Sequence, residues 1–208
     1  MAEIEIKREK INQEEFDRKT AEEVLKFALK KFGNKVALAS SFGAEDVVLI
    51  DLISKIDKNA IIFTLDTGRL HKETHEVAER IKKKYGVKIK AYFPGKKKVE
   101  ELERTKCLFS FRESIENRKE CCNIRKVEPL KRALAGLDAW ITGLRKDQVV
   151  TRTNIHKIEI DEVHNNIIKF NPLADWTEKQ VWGYIKKNDV PYNKLHDKNF
   201  PSIGCEPC

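Results

Sequence analysis

The chain has 208 residues, 40% hydrophobic and 36% charged, with a formal net charge of +8 at pH 7. That length supports one domain with a real core. The composition excludes a disordered or fibrous chain, and no apolar run reaches the roughly 18–20 residues that a membrane span needs. The positive charge suits a nucleotide, a nucleic acid or an acidic protein. The lysine runs 82–84 and 96–98 carry no interleaved aromatics, so they read as solvated faces and count against nucleic acid.

Residues 1–10 alternate charged and aliphatic side chains and lack the apolar centre of a signal peptide, so a cytoplasmic location is expected. Thiols stay reduced there, and paired cysteines point to metal or redox chemistry rather than a structural disulfide. Residues 20–33 predict an amphipathic helix with a Thr20/Glu23 capping box and a Gly33 stop. A buried strand over 36–40 runs through a small-residue turn into an aliphatic helix over 47–56, half of a βαβ unit. The pattern repeats, with a strand over 60–65, a helix over 72–85 closed by Gly86, and a strand over 87–93 stopped by Pro94-Gly95. A short helix is expected over 96–103 and another over 114–127, which Pro129 breaks or kinks. A strand follows at 139–143, then a hairpin from 155–160 and 167–170 around His164-Asn165-Asn166. Thr177 with Gln180 caps a last helix through Lys187, and from Asp189 the chain is irregular.

Alternating strands and helices predict an α/β fold, a mostly parallel sheet covered on both faces, whose ligands lie beyond the carboxyl ends of the strands. Three polar turns fall on that edge. Ser40-Ser41-Phe42-Gly43 offers amides and hydroxyls at a helix start, an anion site on one reading and an ordinary α/β turn on the other. Leu65-Asp66-Thr67-Gly68 offers a carboxylate and backbone groups, or simply an Asp-capped turn. The third turn, 143–152, brings Arg145 and Arg152, whose forked donors suit a phosphate or sulfate. Three such turns on one edge outweigh any one of them.

Four of the five cysteines form two pairs, Cys121-Cys122 and Cys205-x-x-Cys208. Four thiolates suit an iron–sulfur cluster. Zinc favours two CxxC pairs over a vicinal pair, and a CxxC redox dithiol is a third option; the ranking runs in that order. Adjacent helix positions diverge by about 100°, so both vicinal thiols reach one cluster only if it lies close over the helix. Lys126 follows Cys122 by four residues, as Arg125 follows Cys121, and such cations would offset thiolate charge or touch an anionic substrate. The bland reading is two solvated basic residues. Cys107 matches neither pair and is expected to be a small buried residue.

Taken together, the motifs Ser40-Ser41-Phe42-Gly43-Ala44-Glu45-Asp46, Leu65-Asp66-Thr67-Gly68-Arg69-Leu70-His71, Cys121-Cys122-x-x-Arg125-Lys126, Thr142-Gly143-x-Arg145-x-Asp147-Gln148 and Cys205-x-x-Cys208 are specific. In that order, from about Phe32 to Cys208, the chain resembles the assimilatory adenylyl-sulfate (APS) and phosphoadenylyl-sulfate (PAPS) reductases of the iron–sulfur type. The resemblance implies the adenine-nucleotide α-hydrolase-like fold related to PP-loop pyrophosphatases. It implies a [4Fe–4S] cluster on Cys121, Cys122, Cys205 and Cys208. Adenosine and phosphate would be held by Ser40, Ser41, Phe42, Gly43, Leu65, Asp66, Thr67 and Gly68, and the phosphosulfate by Lys126, Arg145 and Arg152.

The implied reaction is thioredoxin-dependent reduction of APS to sulfite and AMP in sulfate assimilation and cysteine biosynthesis, through an enzyme S-sulfocysteine, with glutaredoxin as another reductant. The same reaction on PAPS is the alternative; the cluster and Gly68-Arg69-Leu70-His71 favour APS. The family's nucleophilic cysteine lies in a tail motif beyond Cys208. Residues 1–208 are therefore expected to form a single domain that binds cluster and nucleotide without turning over. A rival that adenylates would need a Ser-Gly-Gly-x-Asp-Ser loop, which Ser40-Ser41-Phe42-Gly43 is not. A non-enzymatic iron–sulfur nucleotide sensor is the rival of another class. Homo-oligomers are compatible with everything above.

Overall fold

The computed structural model describes residues 12–148 and 155–208. A six-stranded sheet runs in the order β3-β2-β1-β4-β6-β5, with β1 (Val36–Ala39), β2 (Ile61–Leu65), β3 (Ile89–Tyr92), β4 (Ala139–Ile141), β5 (Ile158–Asp161) and β6 (Ile167–Phe170). All neighbours are parallel except β5, which pairs antiparallel with β6. The hairpin turns through Asn165 and Asn166, both at positive φ, a conformation asparagine tolerates better than most residues.

Side chains alternate across β1 and build two unequal layers. Val36 and Leu38 join the larger core under α2 (Ala21–Phe32), α3 (Ala44–Ile56), α4 (Lys72–Tyr85) and α8 (Glu178–Lys187). Ala37 faces the other way, with Phe63 and Trp140, under α7 (Glu128–Leu134). α2 ends as its sequence predicts, with the Thr20/Glu23 capping box at one end and Gly33 at the other. α3 is buried on nearly every side, Val47 to Ile50 lying between the sheet and the outer helices, as befits a helix apolar all round. It starts at Ala44, earlier than its apolar run, because Gly43 serves as N-cap without a side-chain signal. A short helix, α1 (Gln13–Asp17), precedes α2, in a stretch where no element was expected.

The 114–127 region differs most from expectation. A regular helix, α6 (Ile115–Cys122), gives way to a π-turn at Asn123–Val127 before α7. Pro129 lies in the first turn of α7 and has no N–H for the carbonyl four residues back. The wider π-turn lets the chain continue past it, and such turns recur at functional sites. α5 (Lys96–Lys106) runs three residues longer than expected and packs Leu102 against Phe111 and Cys121 in a small separate cluster. No helix among the described residues is long and apolar enough to cross a membrane.

Candidate functional site

Between β1 and β4 the sheet order reverses direction, the place where open α/β sheets bind ligands. A cavity of about 460 Å³ opens there, at the carboxyl ends of β1, β2 and β4. Ser40, Ser41, Gly43, Leu65, Thr67 and Lys126, all expected site residues, line it. Phe63, Leu130 and Trp140 give it an apolar wall that periodicity alone reads simply as core.

The Ser-rich turn is closed on its own carboxylate rather than left as a ring of open amides. Ser41 donates from its backbone N–H and its hydroxyl to Asp46 Oδ2, at 2.6 and 2.8 Å. Phe42 sits at φ 61° with its ring buried, and its N–H donates to Ser40 Oγ at 3.1 Å. The ring belongs to the core and does not line the cavity. Burial pushes the Asp46 carboxyl up to about 6, against the lowering effect of the two Ser41 hydrogen bonds. Gly143 faces this pair at close range. A Cβ there would stand 2.6 Å from Asp46 Oδ1 and 2.8 Å from Glu45 Cβ, so only glycine fits.

Asp66 keeps the turn reading. Its Oδ1 accepts from Gly68 N at 2.9 Å, and neither residue lines this cavity. Gly68 takes φ 70° and stands close to the guanidinium of Arg125.

Arg145 corrects a second expectation. Its Nε donates to Glu45 Oε1 at 2.7 Å and its Nη1 to Trp176 O at 3.3 Å, and its buried side chain is absent from the lining. It braces the wall instead of offering an open cation. Arg152 lies outside the described residues. Among the described residues, Lys126 is then the one cation lining the cavity, and among them it has no hydrogen-bond or ion-pair partner.

Of the two cysteine pairs, one member reaches this cavity. Cys205 is buried, lines the cavity, and has its Sγ 3.2 Å from Thr67 Oγ1. Its loop is tied to the Leu65–Gly68 turn by the Leu70↔Cys205 bridge and by Glu206 N donating to Arg69 O at 2.8 Å. Arg112 adds a bond from Nη2 to Pro207 O at 3.1 Å. Burial pushes the Cys121 thiol up, while Arg69 and Arg125 pull it down. Cys122 and Cys208 act on it as well, so thiols from both pairs lie within electrostatic reach of one another. Cys107, expected to be buried, is exposed at φ 67°, where it ends α5. Its placement follows from the helix stop, which turns it away from the Leu102 side that packs inward.

Among the described residues no three His, Cys, Asp or Glu side chains stand together as ligands for one metal ion. The donor chemistry nevertheless suits a larger, anionic thiolate-bound group. It has two thiol pairs within electrostatic reach of one another, two guanidiniums that act on Cys121, and Arg125 Nε, buried with no acceptor among the described residues. Sequence reasoning missed Asp46, Glu45, Glu103 and Arg69 as parts of the site. Asp46 was findable as an acid in the first turn of a helix after a Ser-rich loop; Glu103 carries no local signal.

A mostly parallel sheet with a cavity of nucleotide size at its switch point, a thiol and a lysine in its lining, defines a nucleotide-binding α/β enzyme domain. Comparison with known proteins agrees. The family model for the phosphoadenosine phosphosulfate reductase domain matches residues 35–208. The chain is 50% identical over 175 residues to the adenosine 5'-phosphosulfate reductase of Burkholderia cepacia, covering 84% of this chain and 70% of that one. The crystal structure of a phosphoadenylyl-sulfate reductase from Candida auris superimposes with a TM-score of 0.79 at 31% identity, over 92% of this chain and 90% of that one. An FMN adenylyltransferase from Candida glabrata shares the fold at a TM-score of 0.60 and 15% identity, over 89% of this chain and 62% of that one. The chain belongs to the phosphoadenosine phosphosulfate reductase domain family and has the adenine-nucleotide α-hydrolase-like fold.

Proposed function

We propose that this protein reduces adenylyl sulfate to sulfite and AMP in sulfate assimilation, with a [4Fe–4S] cluster on Cys121, Cys122, Cys205 and Cys208. The observation that carries the reading is the junction of cavity and thiols. Lys126 and Cys205 both line the cavity, so an anion held by the lysine lies beside the thiol centre. Cys121, Cys122, Cys205 and Cys208 would hold the cluster, which takes four thiolates.

Cavity charge favours APS over PAPS. Among the described residues Lys126 is the one cation lining the cavity, which Glu45 and Asp46 also line, and Glu45 is already paired with Arg145. A 3'-phosphate would need further cations that the described residues do not supply. The apolar wall of Phe63, Leu130 and Trp140 suits the adenine ring, and the hydroxyls and carboxylates at 40–46 suit the ribose.

In the reaction a cysteine thiolate attacks the sulfur of APS, the S–O bond to the phosphate breaks, and AMP leaves with the bonding pair. The enzyme then carries S-sulfocysteine. One thiol of a thioredoxin or glutaredoxin dithiol attacks the cysteine Sγ and sulfite leaves; the second thiol then attacks the mixed disulfide, which frees the enzyme cysteine and leaves the reductant a disulfide. Lys126 stabilises charge building on the leaving phosphate. The four paired thiols are ligands in this reading, and none of them is the attacking cysteine. When bound, the cluster supplies a fixed anionic anchor that ties the Cys121-Cys122 segment to the Cys205 loop at the cavity rim. Sulfite release from APS with thioredoxin by the full-length protein tests the proposal. Sulfite from APS well above that from PAPS supports it; iron-loaded protein that releases none refutes it.

A further inference from the structure

We infer that Glu103 is the positioning residue of the thiol centre: it fixes Arg69 and Arg125 against the two cysteine pairs. This rests on the reading that the four thiols hold a cluster. Glu103 Oε1 accepts from Arg125 Nη2 at 2.6 Å and from Arg69 Nη2 at 3.2 Å. One carboxylate oxygen thus joins two guanidiniums whose side chains are 5% and 11% exposed, and the trio keeps one positive charge.

Each arginine then reaches a different part of the centre. Arg125 Nη1 donates to Thr67 O at 2.8 Å, in the turn whose Thr67 hydroxyl contacts Cys205. Arg69 Nη2 also donates to Leu108 O at 2.6 Å, its guanidinium lies over the Phe111 ring at 5.0 Å, and its own carbonyl accepts from Glu206 N. Through two arginines Glu103 therefore links α5, the Leu65–Gly68 turn, the Cys121-Cys122 segment and the Cys205 loop.

The remaining donor of this trio points to a ligand. Arg125 Nε is buried without an acceptor among the described residues, and buried donors are nearly always paired. A sulfur of a thiolate-bound cluster is an acceptor of the right charge. The π-turn divides the work of two adjacent cations: Lys126 lines the cavity and Arg125 reaches the Thr67 carbonyl and Glu103. Charge-assisted bonds of this sort are the strong ones, and a shared carboxylate orients both donors at once.

The test compares wild type, Glu103→Gln and Glu103→Asp, all purified without oxygen as the full-length protein. The readouts are iron and acid-labile sulfide content, the absorbance near 400 nm, the rate of iron loss to a chelator, and far-UV circular dichroism. Glu103→Gln keeps the shape and removes the charge. It should fold like wild type, lose iron about tenfold faster, and show a shifted cluster spectrum. Glu103→Asp keeps the charge and should fall between the two. Should Glu103→Gln fail to fold, the aspartate variant decides: an intermediate rate supports the role and a wild-type rate and spectrum overturn it. A folded Glu103→Gln with wild-type rate and spectrum overturns it equally. Wild type without iron overturns this inference and the cluster reading together, whereas iron-loaded wild type with unaltered variants overturns this inference alone.

Discussion

The nucleotide cavity and the thiol centre adjoin at Thr67 and Cys205 but are held in different ways. The cavity's turns are closed by near neighbours in sequence: Ser41 with Asp46, Asp66 with Gly68. The thiol centre is closed by partners far apart, with Arg125 on Thr67, Arg69 on Glu103 and Leu108, Arg112 on Pro207, and Thr67 on Cys205. Local closure makes a rigid rim that forms with each βα unit. Distant closure makes a centre that exists only when α5, α6 and the Cys205 loop have all docked. Damage to the first should therefore show in nucleotide affinity, and damage to the second in the cluster and in the docking of the outer segments.

The largest expected effect is at the thiols. Cys121→Ser or Cys205→Ser should abolish iron binding and the absorbance near 400 nm, since a cluster needs its full set of thiolates. The 40–46 part of the nucleotide site should persist, because Ser41 and Asp46 close it locally.

Gly143→Ala comes next and breaks the rim. The new Cβ overlaps Glu45 Cβ and the Asp46 carboxylate, and overpacking of this kind costs about 1–3 kcal/mol. Weaker AMP binding by calorimetry, with iron content retained, is expected. Lys126→Ala removes a half-buried cation without a partner among the described residues. Loss of a charged hydrogen bond to the ligand, worth about 1.5–3 kcal/mol, weakens AMP or APS binding roughly 10–100-fold. The melting temperature should stay unchanged.

The last effect is a pH dependence. Folded Asp46 holds its proton up to about pH 6, whereas the unfolded chain releases it near 3.8. Wild-type stability should thus fall as pH rises through that window and then level off, on the order of 2–3 kcal/mol in all. Asp46→Asn should remove this component. Urea unfolding of both proteins at pH 4.5 and 7 measures it, and equal slopes would show that Asp46 titrates normally.

The same contrast explains what was legible in the sequence. The βαβ order, the capping boxes of Thr20 and Thr177, the Gly86 stop and the three turns are local patterns, and the sheet places them where expected. Lys126 was readable as a cation one turn after a thiol. Arg145 was misread because an arginine at a strand end looks like an anion donor, and its partner Glu45 lies 100 residues earlier. Phe42 was misplaced because only the positive φ of its turn sends the ring into the core. Glu103 was invisible for the same reason as Arg145's partner: its meaning depends on two arginines, 34 residues before it and 22 after it.

The central claim is that the two distant cysteine pairs form one iron–sulfur centre at the edge of a nucleotide cavity. Iron and acid-labile sulfide per chain, measured on protein purified without oxygen, test it most directly. The account predicts about four of each per chain, with absorbance near 400 nm. Stoichiometric zinc, or folded protein that binds AMP but takes up no iron and sulfide on reconstitution, would contradict it.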